Sequence, residues 1–114
     1  MDKVSHYQYL IKEGLTHFAD LLENSTPKYP FDVILIFDDQ HHQYLLRELG
    51  WTPDQRVRQT VLHIALKNDK IWIEEDWTED GMATYFPEQG VPREDIVLGF
   101  QPPQMRPYTE FAVA

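Results

Sequence analysis

Five carboxylates fall within seven residues of this chain, Glu74, Glu75, Asp76, Glu79 and Asp80, and two tryptophans, Trp72 and Trp77, lie among them. Several oxygen donors at close range are what a hard cation requires. A strand, however, turns Glu74 and Glu75 to opposite faces, and the stretch lacks the spaced Asp/Asn-Gly loop of an EF-hand. The pattern reads better as a solvated acidic edge serving as a protein-interaction surface. Aromatic side chains supply buried anchor area at an interface, and an acidic rim steers a partner. The candidate partner-contact residues are therefore Trp72, Glu74, Glu75, Asp76, Trp77 and Glu79.

Histidine and carboxylate are the usual acid–base and metal-binding groups, and His41-His42 stand beside Asp38-Asp39. Adjacent histidines at a strand end face opposite ways, and no third ligand follows at an informative spacing. His63 lies among apolar residues and reads as a half-buried, hydrogen-bonded histidine. There is no Gly-rich phosphate loop, no Ser or Cys nucleophile in a recognisable context and no zinc spacing. The expectation is a protein that is not an enzyme, with no metal and no cofactor.

Ten Lys and Arg against nineteen Asp and Glu give a net charge of −9. Nucleic-acid binding draws much of its affinity from cations that neutralise phosphates. Here the densest basic region, Arg56–Arg58, reads as a solvated pair. Direct nucleic-acid binding is disfavoured, while the acidity favours solubility and allows attraction to a basic partner. The absence of cysteine excludes a disulfide framework and fits a cytoplasmic protein. The longest apolar run, Val33–Phe37, is far too short to span a membrane, and the N-terminal stretch lacks a signal core.

The elements that position these groups are legible from periodicity. The 114 residues fit one domain spanning residues 1–114. Asp2–Leu22 carries Val4, Tyr7, Ile11, Leu15, Phe18 and Leu22 at helical spacing, with Asp2 as cap and Gly14 as a weak point. Asp32–Asp38 is a strand whose five consecutive apolar residues suggest a central position. His42–Leu49 returns as a second strand, with Tyr44 and Leu46 on one face. Trp51 is expected to plug the sheet edge. Gln55–Lys67 and Lys70–Glu75 form a hairpin over Asn68-Asp69, residues that tolerate left-handed angles. Strict alternation on the third strand puts Thr60, Leu62, Ile64 and Leu66 on one face and Gln59, Val61, His63 and Ala65 on the other. Thr78 or Asp80 is positioned to cap a short helix over Met82–Gln89, which Gly90 terminates. Val91–Asp95 gives a turn of helix. Ile96–Phe100 is a further helical turn or an edge strand, and proline-rich Gln101–Tyr108 is expected to be extended. Phe111–Val113 should tuck against the body. The fold class is α+β: an N-terminal amphipathic helix packed on an antiparallel four- to five-stranded meander sheet, plus a short second helical segment. Pairing with a second copy, giving a homodimer, is one way to protect an open sheet edge.

Residues Lys70-Ile71-Trp72-Ile73-Glu74 with Asp76, Thr78 and Gly81, then Gly90–Phe100, Pro102-Pro103 and Arg106–Val113, look very like the XisI family, the fdxN element excision controlling factor proteins of cyanobacteria. The likeness extends upstream through Leu35–Asp38, Tyr44–Leu46, Gly50-Trp51, Arg56-Val57 and His63-Ile64. It implies a small cytoplasmic α+β regulatory protein that controls excision of a DNA element by site-specific recombination. It also implies a protein partner, an XisH-like protein of nuclease fold, with a site-specific recombinase acting in the same process. No catalytic residue is carried over. The alternatives are an antitoxin-like neutraliser of the XisH-like partner and a direct DNA-binding factor.

Overall fold

The computed structural model describes residues 2–79 and 81–114. Helix α1 runs Lys3–Glu23. Its start is fixed by Asp2, whose carboxylate accepts the Ser5 N–H at 2.8 Å, satisfying one of the donors that a helix start leaves open. Tyr7, Ile11, Leu15 and Ala19 form its buried stripe. Gly14 belongs to that stripe rather than weakening it. A Cβ there would lie 2.8 Å from the Tyr85 ring and 2.9 Å from the Met82 methyl group, so the missing side chain is what lets these two side chains of the second helix pack against it.

Strands β1 (Asp32–Asp38), β2 (Gln43–Trp51), β3 (Arg56–Lys67) and β4 (Lys70–Asp76) form the expected antiparallel meander. Asn68 and Asp69 both take positive φ, 55° and 61°, between the paired residues Lys67 and Lys70, as a two-residue hairpin turn demands. Helix α2 (Met82–Glu88) then carries the chain across, and β5 (Ile96–Leu98) joins β4 in parallel. The sheet is therefore mixed, with order β1-β2-β3-β4-β5. A parallel neighbour requires a crossover of this kind, whereas hairpins give only antiparallel ones.

Three expectations are corrected. β1 is an edge strand, not a central one. Val33 and Leu35 pack on the core, but Ile36 on the opposite face is exposed, so the apolar run does not mark burial on both sides. Trp51 does not plug the sheet edge: it is 69% exposed, with the Arg56 guanidinium over its ring. Gln101–Tyr108 is not extended. Pro103–Tyr108 forms a 3₁₀ turn, and Pro102 accepts the Met105 N–H at 2.8 Å. A proline's fixed φ suits the first position of such a turn as well as an extended chain.

Two bulges set which side chains face where. Val61 is the extra residue between the pairs Leu46–Leu62 and Arg47–Thr60, and Glu74 is the extra residue between His63–Glu75 and Ile64–Ile73. A bulge moves the following residues to the other face. The main core lies between α1, α2 and the inner face of the sheet, where Tyr44, Leu46, Leu62, Ile64, Ile71 and Ile73 are buried. On the outer face, Ala65, Trp72 and Val97 form a smaller cluster covered by Ala112. The chain end tucks in as expected, with the Ala112 N–H donating to the Ile96 carbonyl at 2.8 Å.

Candidate functional site

The acidic stretch divides as β4 ends. Trp72 is only 7% exposed, because its alternation on β4 turns it under the C-terminal segment. Lys67 Nζ lies 4.0 Å from its ring centroid and the Arg106 guanidinium 5.1 Å away on these two cation–π contacts. The indole N–H donates to the Lys67 carbonyl at 3.2 Å. Trp72 is therefore a packing residue and does not belong to a contact surface. Glu74 is withdrawn as well. Its Oε1 is buried without a hydrogen-bond partner, and it packs where a Cβ on Gly99 would stand, 2.6 Å away.

Asp76 has a local task. Its Oδ1 accepts the Thr78 N–H at 2.9 Å and the Thr78 hydroxyl at 2.6 Å, and its Oδ2 accepts the Met82 N–H at 2.7 Å. The Thr78 hydroxyl in turn accepts the Gly81 N–H at 3.1 Å. Asp76 thus closes the turn and satisfies a free donor at the start of α2. This was expected of Thr78 or Asp80; Asp80 lies outside the described residues.

Three of the six candidates remain at the surface edge. Trp77 is 75% exposed. Its backbone N–H donates to the carbonyl of the bulge residue Val61 at 3.0 Å, and its indole N–H donates to Glu75 Oε2 at 2.8 Å. Glu79 is exposed two residues on. Trp77, Thr78 and Glu79 form one wall of a cleft of about 350 Å³, and Phe18, Leu21 and Leu22 from the end of α1 form another. A second hollow of about 220 Å³ continues it, sharing Tyr29, Val61 and Trp77 and reaching Glu48, Gln59 and Thr60.

Glu48 is the residue that the sequence reading passed over. It is 3% exposed. Its two carboxylate oxygens accept hydrogen bonds from the Tyr29 hydroxyl and the Gln59 side-chain amide. Two signals bear on it. Glu48 follows Tyr44 and Leu46 at strand spacing, which points it inward. Gln59, however, joins it only because the bulge at Val61 changes the face that β3 presents, and strict alternation hides that.

The histidines do not assemble a centre. Asp38 Oδ1 accepts the Gln40 and His41 N–H groups, both at 3.0 Å, and Oδ2 meets His41 Nδ1 at 2.7 Å. The backbone bond from His41, then its side chain, holds the Asp38 carboxyl below its usual value. This is an exposed turn. His63 Nε2 lies 2.6 Å from Gln43 Oε1 and is half-buried as expected. Among the described residues, no group of three or more His, Asp or Glu side chains is placed to hold a metal ion. Among the described residues, too, no helix is long and apolar enough to cross a membrane.

One helical layer on a mixed five-stranded sheet, with a short crossover helix, defines a small two-layer α+β protein. The family model described as XisI protein matches residues 1–113, and the chain belongs to the XisI family. Two solved structures from Anabaena variabilis ATCC 29413 share the fold. One, an XisI-like protein, is 36% identical with a TM-score of 0.87, over 97% of this chain and 99% of that one. The other, the fdxN element excision controlling factor XisI, is 41% identical with a TM-score of 0.85, over 99% of this chain and 100% of that one. A comparison with curated proteins returns no match.

Proposed function

We propose that this protein is a non-enzymatic regulator of DNA-element excision that acts through a protein partner, an XisH-like protein, bound at the edge formed by Trp77, Glu75 and Glu79 and at the cleft beside them. The observation that carries this reading is Trp77. A tryptophan 75% exposed at the mouth of an aromatic-lined cleft is poorly placed for a monomer and well placed as an interface anchor. A net charge of −9 supports a protein partner over bare DNA. Membership of a family that includes an excision controlling factor supports the process.

The test is co-purification with the XisH-like protein, using the native chain and a variant with Trp77→Ala, Glu75→Lys and Glu79→Lys. All three side chains lie outside the core, so the variant should fold. Co-purification of the native chain and its loss in the variant are expected. Undiminished binding by the variant would show that the partner docks elsewhere.

A further inference from the structure

We propose that the cleft is a seat for the guanidinium of an arginine presented by a protein partner, with Glu48 as its counter-charge. This rests on the reading of the Trp77 edge as a docking surface and names what that surface recognises.

Glu48 carries the argument. Carboxylates at 3% exposure are ordinarily paired with a cation, because taking a charge out of water is costly. Among the described residues, no Lys, Arg or His nitrogen lies within 4.0 Å of it; the four ion pairs involve other carboxylates. Its neighbours, the Tyr29 phenol and the Gln59 amide, are neutral donors. They occupy two of the roughly four lone-pair positions of a carboxylate, leaving acceptor capacity for two N–H bonds from one further group.

Glu48 also lines a hollow that opens into the larger apolar cleft. A ligand entering there passes Trp77 and Tyr29 before reaching the carboxylate. Guanidinium fits that route better than ammonium. It is planar, weakly hydrated, stacks on aromatic faces and offers parallel donors to a carboxylate. Phe18, Leu21 and Leu22 would contact the apolar residues flanking the arginine in the partner chain. The chain's negative charge, with Glu75 and Glu79 at the rim, favours approach of a basic segment.

The test uses the full chain and three probes: acetyl-Leu-Arg-Leu-amide, the same peptide with neutral citrulline for arginine, and free arginine methyl ester. Binding is followed by the NMR shift of the Trp77 indole N–H. The arginine peptide should saturate, and the citrulline peptide should bind about tenfold more weakly, the difference between a charge-assisted and a neutral hydrogen bond. Glu48→Gln should erase that preference. Gln59→Arg, at an exposed strand position, supplies an internal guanidinium to Glu48. It should raise the denaturation midpoint and abolish peptide binding, and it keeps the test decisive if Glu48→Gln fails to fold.

Equal affinities for the arginine and citrulline peptides, or no saturable binding at millimolar peptide, would overturn the proposal. Free arginine methyl ester binding as tightly as the peptide would overturn the assignment to a protein partner. The two readings fail separately. If the Trp77 triple variant loses the XisH-like protein while Gln59→Arg keeps it, the edge stands and the arginine seat falls. If the peptide binds as described but the triple variant keeps its partner, the seat stands and the edge assignment falls.

Discussion

Trp72 and Trp77 stand five residues apart in one acidic stretch and do opposite things. Trp72 is clasped on the outer face of the sheet by the C-terminal segment, against Ala65, Val97 and Ala112, with the Lys67 and Arg106 cations over its ring. Trp77 stands in solvent at the rim of the cleft, its indole held by Glu75. The difference arises from the bulge at Glu74 and the end of the strand at Asp76. Before it, alternation dictates which way a side chain points. After it, the turn built on Asp76 does. Residue type and neighbourhood in sequence are nearly the same at both tryptophans, so the backbone alone separates a buried residue from an exposed one.

The largest effect expected from this contrast is on stability. Trp72→Ala should cost about 3–5 kcal/mol, as removal of a buried large aromatic does, while Trp77→Ala should stay within about 0.5 kcal/mol, as at a surface site. Urea denaturation of the two variants checks this. Comparable losses in both would mean that the two ends of the stretch are not distinct.

Asp76 tests the boundary between them. Asp76→Ala removes the acceptor for Thr78 and Met82 and should cost about 1–2 kcal/mol, in the range of a lost helix cap. Because the same turn sets the direction of Trp77, the variant should also weaken binding of the proposed partner, without any direct contact proposed for Asp76 itself. Hydrogen exchange at the Met82 amide would report the local opening; unchanged protection there would dissociate Asp76 from the turn.

A smaller effect, read by pH, concerns the tie between α1 and the start of β5. Asp95 immediately precedes β5, the strand that supplies Val97 to the Trp72 cluster. Burial alone raises the Asp95 carboxyl, but hydrogen bonds from Tyr7 and Lys3 outweigh it and hold the group below its ordinary 3.8. A carboxyl lowered in the folded state stabilises the fold above its unfolded value, and that contribution is lost as pH falls through the folded value. Native protein should therefore lose more stability than Asp95→Asn on acidification from roughly pH 5 to below pH 3. Parallel curves for the two proteins would remove Asp95 from the account.

The same contrast shows what the sequence makes legible. Periodicity located α1 and the four meander strands, and Asn68-Asp69 located the hairpin, because these are local consequences of side-chain spacing and backbone tolerance. The family likeness was carried by the C-terminal third, Gly90–Val113, whose residues also form β5 and the clasp over Trp72. Face assignments failed wherever alternation was interrupted. The bulge at Val61 brings Gln59 to Glu48, and the one at Glu74 buries a carboxylate that reads as part of the exposed edge. The central placement of β1 failed for another reason: an apolar run shows that a strand is apolar on both faces, not that both are covered. The cleft was invisible because Tyr29, Glu48, Gln59 and Trp77 are dispersed in sequence and meet only through tertiary packing.

The finest test of the comparison reads local charge instead of energy. Two tryptophans are exposed, Trp51 and Trp77, and their surroundings differ in sign. The Arg56 guanidinium lies 5.5 Å from the Trp51 ring centroid, while Trp77 is hydrogen-bonded to Glu75, with Glu79 close by in sequence. Screened surface charges still bias small ions within a Debye length, about 10 Å at 0.1 M salt. Caesium, a cationic quencher, should therefore act mainly on Trp77, and iodide mainly on Trp51, with Trp72 shielded from both. Trp77→Phe should remove most of the caesium quenching and little of the iodide quenching, and Trp51→Phe the reverse. If Trp77→Phe reduced both equally, the rim would carry no net negative field at the indole, and steering of a basic segment towards the cleft would lose its local basis, leaving only the overall charge of the chain to supply it.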